Sequence, residues 1–97
     1  MYLTIRNYQD EAADVVEQVT QRQESLVQLM RSIDGFVAYY LLDPGNGGIA
    51  TVSVFETREG VEESTRAAAK WVAENVARWA PNPPTVVQGS VAVSATR

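Results

Sequence analysis

Apolar and polar residues nearly alternate along residues 2–8, YLTIRNY, with Leu3 and Ile5 on one side and Tyr2, Thr4 and Arg6 on the other. A period of two predicts a short strand ending near Tyr8. The period then changes: Ala12, Val16, Val19, Leu26, Met30 and Ile33 recur at helical spacing through about residue 32. Asp10 is the expected N-cap, and Glu11 and Asp14 stand where the helix dipole favours negative charge. The stripe is broken at Arg22 and Gln23, as a solvated turn or as the lining of a polar cavity. Asp34-Gly35 stops the helix, and FVAYYLLD (36–43) reads as a nearly continuous apolar strand. Turn chemistry from Asp43 through Gly48 predicts a hairpin into an antiparallel strand, IATVSVF (49–55). The glycines are not expected to cradle a phosphate, because that needs a helix directly after them. A second helix is predicted from about Thr57 to Ala80, with the stripe Val61, Ala68, Val72 and Val76 flanked by Trp71 and Trp79. Pro81, Pro83 and Pro84 end it, and TVVQGSVAV (85–93) reads as a last strand before a frayed tail, 94–97.

The order β-α-β-β-α-β over residues 1–97 predicts a single α+β domain of the ferredoxin-like type, a four-stranded antiparallel sheet with both helices on one face. In such a monomer the other face should be polar. Residues 36–43 disobey this: Phe36, Ala38, Tyr40 and Leu42 fall on one side, Val37, Tyr39 and Leu41 on the other. The last strand repeats the pattern with Val87, Val91 and Val93 against Val86 and Ala92. A second copy packed sheet to sheet, as a symmetric homodimer, accounts for two apolar faces.

Composition narrows the chemistry. A chain of 97 residues with 45% hydrophobic content has a modest core on its own. It has neither Cys nor His, which excludes disulfides, thiol nucleophiles, serine-histidine triads, zinc hydrolase sites and proximal-His haem ligation. The net charge of −4 is the wrong sign for neutralising phosphates, so nucleic acid is not an expected partner. The start of the chain lacks a signal-peptide pattern and no apolar run is long enough to span a bilayer, so a soluble, cytoplasmic protein is expected. Seven of the eight basic residues are Arg, and Ala and Val are abundant, a usage that suggests a high-GC bacterial source.

The start YLTIRNYQ, the strand opening Gly35-Phe36-Val37-Ala38-Tyr39-Tyr40, the strand end Val52-Ser53-Val54-Phe55-Glu56 and the helix residues Glu62-Glu63-Ser64 resemble the antibiotic biosynthesis monooxygenase (ABM) superfamily. The resemblance spans nearly the whole chain. It implies a dimeric α+β barrel with a ligand pocket in each subunit between sheet and helices. Members include cofactor-independent monooxygenases that oxidise polycyclic phenols to quinones, haem-degrading enzymes, and small proteins without a known reaction. The haem-degrading branch uses an Asn of the first strand, which Asn7 matches, with a Trp and a His; the His has no counterpart here. That disfavours haem degradation.

In the cofactor-free branch the substrate supplies the electrons for O2, and Asn, Tyr, Trp and Arg side chains orient a phenolate. Alternation places Asn7 with Leu3 and Ile5, toward the helices and the expected pocket, and Arg6 on the opposite side, at a rim or dimer surface. Tyr39 or Tyr40, one and not the other, faces the helices. Trp71 stands one helical turn before Asn75, so both are expected at one cavity. Asn7, Tyr39, Tyr40, Trp71 and Asn75 are therefore the substrate-binding candidates, with no catalytic residue assigned and no metal or cofactor expected. The competing reading is a non-catalytic homodimer that binds a small apolar ligand or serves a pathway partner, favoured by the missing acid/base groups.

Overall fold

Seven elements succeed one another in the computed structural model, which describes residues 1–97: β1 (Tyr2–Tyr8), α1 (Val15–Gln21), α2 (Gln23–Arg31), β2 (Phe36–Leu42), β3 (Ile49–Phe55), α3 (Arg58–Asn75) and β4 (Thr85–Ser90). The strands form one sheet in the order β2-β3-β1-β4, every neighbouring pair antiparallel. With the helices packed on one side, this is the expected ferredoxin-like α+β fold.

The first helical stretch is two helices rather than one. Asp10 does not cap it: its φ of 59° is left-handed, and α1 begins only after Asp14. The interruption falls at Arg22, where the stripe is broken, with φ −113° and ψ 16°. There the side chain folds back, donating to Gln18 O at 2.8 Å and Gln18 Oε1 at 3.0 Å. Its guanidinium also lies 4.9 Å from the centre of the Trp79 ring, a cation-π contact across the structure.

The second helix starts as predicted, with Thr57 Oγ1 accepting from Gly60 N at 3.1 Å. Gly60 is where α3 meets the sheet. A Cβ there would lie 2.9 Å from Phe55 Cδ1 and 3.1 Å from Asp34 O, so only glycine lets the helix settle on Phe55, which Phe36 meets edge-on at 5.8 Å. The helix ends at Asn75, short of the expected Ala80. Residues 76–80 form a turn in which Trp79 and Ala80 both donate to Val76 O; it buries Val76 and Ala80 and brings Trp79 O to Ala12 N at 2.9 Å. Strand β4 is also shorter than predicted, because its partner β1 runs out. Tyr2 pairs with Ser90, and Val91 N makes a last bond to Met1 O at 2.9 Å.

The sides of two strands differ from the sequence reading. In β1 the buried positions are Thr4, Arg6 and Tyr8, so Leu3, Ile5 and Asn7 face away from the helices. In β2 the register slips between Phe36 and Ala38, leaving Val37 as an extra residue. This bulge moves Phe36 onto the helix side with Tyr39 and Leu41, and leaves Ala38, Tyr40 and Leu42 on the open side. The open face is thus built from Leu3, Ile5, Val52, Val54, Tyr40, Leu42 and Val87, of which Tyr40 is 60% exposed, Leu42 51% and Val87 69%. No helix is long and apolar enough to cross a membrane.

Candidate functional site

The helix side of the sheet presents a row of polar side chains that its strands cannot satisfy locally: Thr4 and Arg6 of β1, Thr51 and Ser53 of β3, all buried. Across from them α3 carries Ser64 and Thr65. Ser64 interrupts the apolar row Val61, Ala68 and Trp71, and it is fully buried. Arg6, with 1% of its surface exposed, bridges the two layers. Its Nη2 donates to Ser53 Oγ at 2.9 Å, and Nη1 reaches Ser64 Oγ and Thr65 Oγ1, both at 3.4 Å. The two helix hydroxyls in turn donate to Val61 O, at 2.7 and 3.3 Å, which turns their lone pairs toward the guanidinium. Arg6 Nε and Thr51 Oγ1 make no hydrogen bond of good geometry, and the side chain that couples to both residues is the Tyr39 hydroxyl.

No carboxylate answers this charge. The titratable groups that act on Arg6 are Tyr8 and Tyr39. Burial pushes the guanidinium below its usual value, against the opposing pull of the two tyrosines. The tyrosines are themselves held neutral. Burial raises Tyr8 and pushes Tyr39 up to about 12, outweighing the attraction of Arg6 for a phenolate. A guanidinium stays protonated in proteins, so the chain buries a net positive charge among neutral hydroxyls, an arrangement that costs several kcal/mol when uncompensated.

Arg6 and Thr51 lie in the wall of a cavity of about 30 Å³ between sheet and helices. Tyr8, Tyr39, Leu26, Trp71, Val72 and Ile49 form much of the rest. That volume holds about two water-sized groups. Trp71 is fixed by its indole Nε1, which donates to Ser25 Oγ of α2 at 3.0 Å. The cavity shares Tyr8, Val72 and Ala80 with an open groove of about 280 Å³ along α3, whose other walls include Ala69, Ala73, Ala77, Pro81, Pro83 and Pro84.

Of the five residues expected at the pocket, Tyr39 and Trp71 meet there. The tyrosine question resolves to Tyr39, since Tyr40 stands on the open face. Asn7 is on that open side as well, because β1 turns its aliphatic residues outward and Arg6 inward. Asn75 is exposed, its side chain donating to Trp71 O of its own helix at 2.9 Å. Arg6, which alternation assigned to the opposite side, is a site residue, and so is Tyr8, which the sequence reading left without a side. The signal for them was indirect: Ser64 on an otherwise apolar helical row marks a buried polar partner on the facing strand. No group of acidic side chains is placed to hold a metal ion.

No protein-family model matches this sequence, and no curated protein matches it. Solved structures do, over nearly their whole lengths. The monooxygenase from ActVA-Orf6 of Streptomyces coelicolor, solved with nanaomycin D, has a TM-score of 0.72 at 13% identity, covering 99% of this chain and 91% of that one. A MhuD mutant with two manganese protoporphyrin IX molecules per active site scores 0.75 at 16% identity, covering 100% of each. A dimeric ferredoxin-like protein from an uncultured marine organism scores 0.68 at 12%, covering 99% and 97%. The chain therefore has the fold of antibiotic biosynthesis monooxygenase structures, as the resemblance implied.

Proposed function

We propose that this is an ABM-like homodimeric protein that oxidises a phenolic, polycyclic aromatic small molecule with O2 and without a resident cofactor. The observation that carries this reading is the helix-side cavity, whose wall holds Trp71, Tyr8 and Tyr39 together with the buried Arg6. Tyr39 and Trp71 are the candidates to orient the ring and its oxygen, and the substrate would supply the electrons. The Streptomyces coelicolor monooxygenase of this fold, solved with nanaomycin D, supports a ligand site. The protoporphyrin-bound MhuD structure raises haem, but the site does not suit it: the lining offers no His, Cys or Met as an axial ligand, and burial holds its tyrosines, Tyr8 and Tyr39, protonated.

The open sheet face supports the homodimer, since an apolar face of that breadth is rarely left to water. A second copy with the same face would cover it by two-fold symmetry.

The small volume of the cavity favours the rival reading, a dimer that binds a ligand without transforming it. Drug-sized ligands usually occupy about 300–1,000 Å³, so the groove along α3 or movement of the helices must contribute. Oxygen uptake with a panel of hydroxyanthrones and hydroquinones separates the two. Turnover by the wild type that falls at least tenfold in Tyr39→Phe or Trp71→Leu supports the oxygenase. Saturable binding of the same panel with no oxygen uptake supports the binding protein instead.

A further inference from the structure

We propose that α1 is a lid over the helix-side cavity, hinged at its two ends and latched by Arg22 on Trp79, and that an aromatic ligand enters and leaves when it lifts. The inference rests on the cavity being the ligand site and adds how that site is reached.

The walls of the cavity are not equally fixed. At about 30 Å³ it is too small for a ligand, since drug-sized molecules occupy about 300–1,000 Å³, so one wall has to move. The sheet and α3 are held together: Arg6 ties β1 to Ser53, Ser64 and Thr65, and Gly60 seats α3 directly on Phe55. Helix α1 is joined differently. It makes no hydrogen bond to the sheet or to α3, and its grip on the core is two valines, Val15 and Val19, both buried and both in the cavity wall. Glu17 and Thr20 face solvent. At seven residues it is well short of the roughly 12–15 that let a helix persist in isolation, so with the valines lifted nothing keeps it in place.

The ends supply the hinges. Before α1, Glu11 N and Ala12 N donate to Gly47 O and Trp79 O, at 3.0 and 2.9 Å, and Glu11 Oε1 accepts from Asn82 N at 3.0 Å. After it, the break at Arg22 separates α1 from α2, which stays anchored by buried Leu26 and Met30 and by Ser25 Oγ, the acceptor of the Trp71 indole. Arg22 itself sits at the seam. Its guanidinium caps the Gln18 carbonyl of α1 and lies on Trp79, whose ring also has Arg78 at 5.7 Å. Trp79 belongs to the turn after α3, so the contact closes the lid against the opposite wall, where Val76 and Ala80 of the same turn stand. A partly exposed cation-π contact is weak enough to open thermally.

The chain has no Cys, so one introduced thiol reports on access. In Ala68→Cys the thiol lies in the cavity wall, and its reaction with the aromatic disulfide dithiobis(nitrobenzoate) is followed by absorbance in the intact protein across a urea series. The expected rate is about tenfold or more below that of the unfolded chain and about tenfold or more above what global unfolding allows, with a much shallower urea dependence than the unfolding equilibrium. In the same background without urea, Glu17→Gly, which weakens α1 from its outer side, and Arg22→Met, which removes the latch, should each raise the rate about three- to fivefold. Thr20→Ala, a better helix former, should lower it about threefold. A rate that carries the full urea dependence of global unfolding overturns the lid, and so does a thiol that reacts as fast as in the unfolded chain, because then nothing covers the cavity. Rates unmoved by Glu17→Gly and Arg22→Met overturn it as well, since the opening then lies elsewhere. If Ala68→Cys does not fold, Val72→Cys, half-buried in the same wall, carries the same measurement. No ligand is needed for this experiment, so its failure is distinct from failure of the pocket reading, which oxygen uptake and binding decide.

Discussion

On the helix side of the sheet, Thr4, Arg6, Thr51 and Ser53 are buried against α3, whereas on the other side Ile5, Tyr40, Leu42 and Val87 stand open to solvent. The covered face sets a polar centre among apolar residues such as Ile49, Leu41 and Phe55, and the uncovered face is largely aliphatic. In an ordinary two-layer monomer the uncovered face would be polar, because water covers it. Each side has its own cause. Below the helices the layer is closed by the apolar rings and chains of Phe55, Phe36, Met30 and Val61, which leaves room for a polar centre with its own partners. On the open face, the apolar residues are consistent with a second chain as their cover.

Three substitutions probe this contrast, in order of expected effect. Phe55→Ala empties the contact among Phe36, Gly60 and α3 and should cost about 3–5 kcal/mol, read as a fall in the urea midpoint of unfolding. A loss below about 1 kcal/mol would place the main core elsewhere. On the open face, Leu42→Glu should leave the secondary structure intact but halve the mass seen by size-exclusion chromatography with light scattering at micromolar concentration. A wild type that is already monomeric there would falsify the covered-face reading.

The third effect is smaller and confined to alkaline pH. Burial raises the Tyr39 hydroxyl from 10.0 to about 12, so the folded chain keeps a proton that the unfolded chain releases. The stability tied to that proton is complete below pH 10 and is lost as the pH climbs to about 12. Tyr39→Phe should therefore flatten the fall in stability across this window. Parallel wild-type and variant curves would show that Tyr39 is not buried beside the guanidinium.

Much of this architecture is legible along the chain. Asp34-Gly35 and the turn from Asp43 through Gly48 punctuate it at the right places, and the prolines at 81, 83 and 84 precede β4 although α3 ends earlier, at Asn75, because local backbone preferences act within a few residues. Even the break at Arg22 leaves a mark, as a gap in the helical stripe. The site is legible only in part. Trp71 follows from aromatic content, strand parity narrows the tyrosine to Tyr39 or Tyr40 without choosing, and Asn7 and Asn75 are polar residues whose surroundings alternation does not reveal. Parity divides β1 into two sets and is silent about which set the helices cover.

The sequence by itself therefore determined the order of elements, the sheet with two demanding faces, and the absence of His and Cys, since each depends on residue type and short-range spacing. Tertiary structure alone decided which face is which. Arg6 is buried because Ser53, Ser64 and Thr65 come to it from 47, 58 and 59 residues away. The bulge at Val37 is likewise defined by pairing with another strand. Burial of a charge is a property of the partners that surround it, and those partners are assembled only when the chain has folded.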